Sequence, residues 1–141
     1  MPFREKIAWL SLVALGVAYI PYFVVVASGA YDHAPAPNFP LLTLLAGVSI
    51  LRLAILGGGW LVLRARAPED ARMKPDERDV AISRRAMASG YYVLTAAMIL
   101  VGGIMPFTEG VWRIVNAAIF TLVVAEAVVH AVTAVGYRRQ A

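Results

Sequence analysis

The sequence predicts an all-α protein, an integral membrane four-helix bundle with both termini in the cytoplasm. Of its 141 residues, 60% are apolar and only 16% are charged, against about 25% charged in an average soluble domain. The apolar residues form four long stretches, and Lys and Arg flank these stretches almost entirely on one side. A soluble domain of this size could not bury so much apolar surface, so we expect a single membrane domain over residues 1–141.

Each of the four stretches is long enough to cross about 30 Å of hydrocarbon, which requires roughly 20 helical residues. They cover residues 7–29, 41–63, 86–105 and 114–136. The first is longer than the 7–15 apolar residues of a signal peptide, so we expect it to be retained as a helix. Residues 64–85 form the one sizeable polar segment and should lie outside the membrane.

The basic residues predict the orientation of the spans. Eleven of the thirteen Lys and Arg residues fall on the side of the two termini and residues 64–85. Arg113 alone falls on the other side, and Arg52 lies within the second span. Because cytoplasmic loops carry the excess of Lys and Arg, the termini and residues 64–85 should be cytoplasmic. The net charge of +4 therefore reflects topology, and we expect no direct contact with nucleic acid.

Several chemistries are excluded by what the sequence lacks. It has no Cys, which rules out a disulfide relay, a cysteine-bound metal cluster and a thiol nucleophile. It also lacks a nucleophile–base pair, metal-ligand spacing and a phosphate-binding loop. We therefore expect a protein that is not an enzyme, with no catalytic residues, no metal site and no cofactor.

Two charged residues lie where charge is costly. Arg52 is at the midpoint of the second span and Glu126 is one residue past the midpoint of the fourth. Both helices should run in the same direction, and at about 1.5 Å per residue the two side chains lie at nearly equal depth. A charge at a helix centre costs about 2.5–3.5 kcal/mol on insertion scales, so we expect a direct ion pair.

Polar residues of the fourth span extend this predicted intramembrane site. Asn116, His130 and Thr133 fall within about 100° of arc around Glu126. Two interpretations remain open. The pair could fix the register of the helices, with His130 and Asn116 as satisfied partners. Alternatively, Arg52, Glu126 and His130 could form a proton-coupled or ligand-binding site.

Residues 76–85 predict a helix start that leads into the third span. Asp76 is suited to cap the helix. Acidic residues in the first turn interact favourably with the positive end of the helix dipole. The same segment could instead dock a cytoplasmic partner protein, because little else is exposed. The candidate docking residues are Asp76, Glu77, Arg78, Asp79, Arg84 and Arg85.

A run of three glycines, Gly57-Gly58-Gly59, interrupts the second span. Small residues allow transmembrane helices to approach closely, so we expect close packing here rather than a loosened helix. The same run leaves open a homodimer through this helix.

The second half of the chain contains several motifs in order, namely Asp-Glu-Arg-Asp at 76–79, Tyr91-Tyr92, Pro106-Phe107, Val115-Asn116, Ala125-Glu126 and the closing Gly136-Tyr137-Arg138-Arg139. Together these motifs resemble a family of small, uncharacterised bacterial inner-membrane proteins. Members of that family are often encoded beside helix-turn-helix transcription regulators. The resemblance therefore implies a bacterial inner-membrane location and a cytoplasmic regulator as partner.

Two functions follow as hypotheses. The first is a non-enzymatic membrane sensor or scaffold that docks a cytoplasmic partner through residues 76–85. The alternative is a small proton-coupled transporter or ligand-binding membrane protein that uses Glu126 and Arg52.

Overall fold

The computed structural model describes residues 2–139, and these residues form helices joined by short connections, with no β-strand among them. Four helices are long and apolar enough to cross a membrane. They are α1 (Phe3–Ala27), α2 (Phe39–Arg66), α4 (Glu77–Gly103) and α5 (Val111–Arg138). The short helix α3 (Pro68–Arg72) follows α2, and a 3₁₀ turn (Met105–Phe107) links α4 to α5.

Helices α2 and α4 begin before the predicted spans, at side-chain caps that the sequence supplies. The side chain of Asn38 accepts a hydrogen bond from the amide of Leu41 at the start of α2. At the start of α4, Asp76 and Asp79 form a reciprocal capping box, each side chain accepting from the backbone amide of the other. This box starts α4 at Glu77, well before the predicted span at residue 86, because it satisfies amides that the first helical turn leaves unpaired.

The long helices pack side by side in the order α2, α1, α5, α4. Helix α1 packs against α2 and α5, and α5 packs against α4. Among the described residues, no packing of comparable extent joins α2 to α4 or α5. Helices α2 and α4 therefore lie at the two edges of the arrangement.

The number of buried residues on a helix reflects its place in this order. Among the described residues, α1 contributes eight buried residues and α2 contributes only Leu41. The main core cluster is formed where α1 meets α2 and contains Leu15, Ala18, Tyr19, Tyr22 and Leu41. Helix α1 is thus the most buried of the four long helices, and α2 is the least buried.

Glycines allow close helix contacts both outside and within the glycine run of α2. A Cβ atom on Gly90 would lie 2.3 Å from Cγ2 of Val129, so α4 and α5 approach closely there. In the glycine run of α2, only Gly59 packs closely, against Leu10 of α1. Gly57 and Gly58 face open space, so the predicted close packing is wrong for these two within the chain. The periodicity of one helix does not show which of its faces meets a neighbour.

The start of α1 and the end of α5 lie at the same end of the protein as the start of α4, and we call this the termini end. Arg4 of α1 contacts Asp79 at 3.2 Å, and Arg138 of α5 contacts Glu5 at 3.4 Å. These contacts agree with the predicted placement of both termini beside residues 64–85. Their location in the cytoplasm stays a prediction.

Candidate functional site

Arg52 and Glu126 are in direct contact, as their matched depths predict. Nη2 of Arg52 on α2 donates to Oε2 of Glu126 on α5. The two side chains differ in exposure, 20% for Arg52 and 42% for Glu126. The arginine is therefore held largely within the protein, whereas the carboxylate retains an accessible surface beside the contact.

Only some of the N–H donors of the Arg52 guanidinium group have a hydrogen-bond partner. Its central carbon lies 6.0 Å from the ring centroid of Tyr19, a distance at which the ring face attracts a cation. The Tyr19 hydroxyl also lies 3.5 Å from the hydroxyl of Ser49 on α2. Nε of Arg52 is buried and has no hydrogen-bond partner among the described residues. The contact with Glu126 thus carries most of the compensation for burying this charge.

Polar side chains on α5 continue from Glu126 towards the termini end. Glu126, His130, Thr133 and Tyr137 are spaced by four, three and four residues, which places them on one face of the helix. We call these four residues the α5 polar face. His130 lies within electrostatic range of Glu126 and Arg52, and Thr133 donates to the carbonyl of Val129 at 2.8 Å.

Tyr137 is a site residue that the sequence analysis did not select. Its hydroxyl donates to the Asp79 carboxylate, and its carbonyl accepts from Arg78 at 3.2 Å. It therefore joins the α5 polar face to the start of α4. The signal was present in the sequence, because Tyr137 follows Glu126 by eleven residues, or three helical turns.

Asn116 does not join the Arg52–Glu126 contact. It is 5% exposed, accepts from the Tyr22 hydroxyl at 2.7 Å and donates to the Trp112 carbonyl at 2.8 Å. Ten residues separate it from Glu126, a rise of about 15 Å along α5. Asn116 instead ties α5 to α1 in the half of the protein away from the termini end.

The candidate docking residues divide into two groups. Asp79 is partly buried and bound within the chain by Arg4, Tyr137 and the capping box. Asp76 takes part in that box, and Arg78 contacts Tyr137, although both remain exposed. The other exposed candidates are Glu77, Arg84 and Arg85. Docking of a partner protein on this segment stays a prediction.

A cavity of about 370 Å³ lies at the termini end and is open to its surroundings. Its wall includes Trp60 of α2, Asp70 of α3, Asp79 of α4 and two residues of the α5 polar face. Those two are Thr133 and Tyr137. The cavity therefore begins where the α5 polar face reaches the termini end, and the same face continues from there to Glu126.

Comparison with protein-family models, with curated proteins and with solved structures found no match for this chain. The site must therefore be interpreted from its own geometry.

Proposed function

We propose that this chain is a non-enzymatic membrane sensor whose signal is read at residues 76–85 by a cytoplasmic partner. A proton or a cationic group that reaches Glu126 competes with Arg52 and releases α2 from α5. The observation that carries the proposal is the contact between Arg52 and Glu126, which joins an edge helix to the interior of the protein. Because α2 packs extensively against α1 alone, making or breaking its contact with α5 can give two positions of α2 that a ligand redistributes.

The packing supports α2 as the moving element. It has one buried residue among those described and packs against α1 alone over an extended surface. Its contact with α5 depends on the long side chain of Arg52. Loss of that contact leaves a charged group near the middle of the helix without a partner, which favours a shift of α2.

The connection from α2 to the candidate docking segment is short. Helix α3 follows α2 after Ala67, and Asp70 and Met73 line the cavity that also contains Asp79. Arg4 and Tyr137 hold the start of α4 against α1 and α5. Movement of α2 would therefore displace α3 relative to a fixed start of α4 and reshape the surface around residues 76–85.

The test uses the absence of cysteine from the chain. Glu69→Cys on α3 and Arg84→Cys on α4 introduce spin labels at two exposed positions of the protein in lipid nanodiscs. We expect the Glu126→Gln substitution, which removes the charge that Arg52 contacts, to change the distance distribution measured by double electron–electron resonance.

Asn116→Ala provides the control, because it removes a buried polar contact of α5 that does not involve α2. It should leave the label distances unchanged. Identical distributions in the parent protein and the Glu126→Gln variant would contradict the proposal. An equal change in Asn116→Ala would assign the effect to general loosening of α5.

Proton-coupled transport is the second candidate function. The observation that favours it is the α5 polar face, which leads from the open cavity at the termini end to the partly exposed carboxylate of Glu126. A carboxylate in such a position can exchange a proton for a cationic substrate.

Proteoliposomes containing a trapped pH-sensitive dye test this second candidate, with ethidium as the cationic probe. Transport predicts proton movement when ethidium is added, and no movement in Glu126→Gln. Label distances that respond to Glu126→Gln without proton movement in the parent protein would favour the sensor.

A further inference from the structure

A second cavity, of about 310 Å³, lies in a groove between α4 and α5, and we call it the arginine groove. Arg85 and Ser89 line it from α4, and Arg139 lines it from the end of α5. Small and branched apolar residues complete its wall, among them Ala131, Val132 and Val135. None of these residues contributes to the cavity beside the α5 polar face.

The two arginines of this groove differ from several other arginines of the chain in having no carboxylate partner among residues 2–139. Arg4, Arg52, Arg113 and Arg138 each form an ion pair. Arg85 and Arg139 are exposed and form no ion pair with the described residues. Two guanidinium groups on adjacent helices, facing one groove, provide the donors that a phosphate group binds.

We infer that the arginine groove binds the phosphate headgroup of an anionic phospholipid. The groove lies where the two arginines end the apolar surfaces of α4 and α5, and its apolar wall continues along α5 to Ala131. A lipid can place its phosphate between the arginines and its glycerol and acyl carbons along that wall, whereas free phosphate uses only the arginines. Basic pockets between transmembrane helices are known to hold such headgroups.

The groove favours an anionic headgroup over a zwitterionic one. The described residues of its lining include no Asp or Glu that would bind the ammonium group of a choline or ethanolamine lipid. The Ser89 hydroxyl donates to the Arg85 carbonyl at 3.0 Å, which leaves its oxygen able to accept from a hydroxyl of the headgroup. Phosphatidylglycerol, which carries a phosphate and hydroxyl groups, has the matching chemistry.

Native mass spectrometry of the full-length protein in detergent tests the inference. Phosphatidylglycerol and phosphatidylcholine with identical acyl chains are titrated separately against the parent protein and the double variant Arg85→Gln, Arg139→Gln. We expect the parent protein to prefer phosphatidylglycerol. We expect the double variant to bind this lipid about 30-fold more weakly, since each arginine near the lipid surface contributes about a factor of five.

The matched control is Arg66→Gln, Arg72→Gln, which removes the same charge from exposed positions of α2 and α3. It should change phosphatidylglycerol binding less than about threefold, because neither arginine lines the groove. Glycerol 3-phosphate, offered in a separate arm, should compete poorly with the lipid. Effective competition by this soluble phosphate would overturn the assignment to a lipid.

Three further results would also overturn the inference. They are equal binding of the two lipids, unchanged binding in the Arg85→Gln, Arg139→Gln variant, and equal losses in this variant and its control. Circular dichroism establishes that each variant is folded. Should the double glutamine variant fail to fold, Arg85→Lys, Arg139→Lys retains the charge and removes the paired donors, and it should still bind the lipid more weakly than the parent.

Discussion

Separating Arg52 from Glu126 should destabilise the protein more than removing both charges. The side chain of Arg52 is 20% exposed, and its guanidinium group stays charged in any environment. Glu126→Ala therefore leaves a charge near the middle of α2, and we expect a loss of about 2–3 kcal/mol, below the cost of a fully buried central charge.

Arg52→Ala should be less costly. The side chain of Glu126 is 42% exposed, so this variant leaves a less deeply buried charge without its partner. We expect a loss of about 1–2 kcal/mol for this variant. The double variant removes both charges and should lose about 1 kcal/mol or less, so that the two single losses exceed the double loss by about 2–5 kcal/mol.

Unfolding by sodium dodecyl sulfate in mixed micelles, followed by the fluorescence of the three tryptophans, measures these free energies. A double-mutant cycle on Arg113 and Glu109 provides the matched control. These residues form an ion pair at 3.0 Å in which the Arg113 side chain is 61% exposed. That pair should show no measurable coupling, since solvent screens exposed charges. Additive losses for Arg52 and Glu126 would refute the argument that each charge compensates the other.

Three further predictions follow from individual contacts. Gly90→Ala should lower stability by about 1–3 kcal/mol in the same unfolding assay, because its Cβ would overlap Val129, whereas Gly58→Ala should cost nothing; equal effects would contradict the helix packing. Tyr22→Phe should lower stability by about 1–2 kcal/mol, because it leaves buried Asn116 without a donor, and no loss would indicate that water replaces the hydroxyl. Tyr137→Phe should increase amide hydrogen exchange at residues 77–80 by roughly fivefold, since it frees the start of α4; unchanged exchange would show that the capping box suffices.

Properties that depend on single helices were the most predictable from the sequence. Four apolar stretches predicted the four long helices, and the acidic residues at 76–79 predicted the start of α4. The contact between Arg52 and Glu126 was also predictable, because depth along a helix follows from residue count alone. A charge within an apolar span requires a partner, and the chain offers one at the matching depth.

The sequence did not show which neighbouring helix each side chain contacts. Asn116 shares an arc of α5 with Glu126, yet its partner is Tyr22 of α1 in the other half of the protein. Gly57 and Gly58 suggested close packing and instead face open space. Residue count gives the height and the angle of a side chain on its own helix, but not the helix that lies opposite.

The sequence by itself determined four apolar helices, an excess of basic residues on one side, and two charges at matched depth. These properties follow from local composition and the fixed rise of the helix. Only the tertiary structure decided that α1 and α5 are central and α2 lies at an edge, held towards α5 by Arg52. Only the structure also placed Arg85 and Arg139 in the wall of one groove, because the order of helices depends on how whole side-chain surfaces fit together.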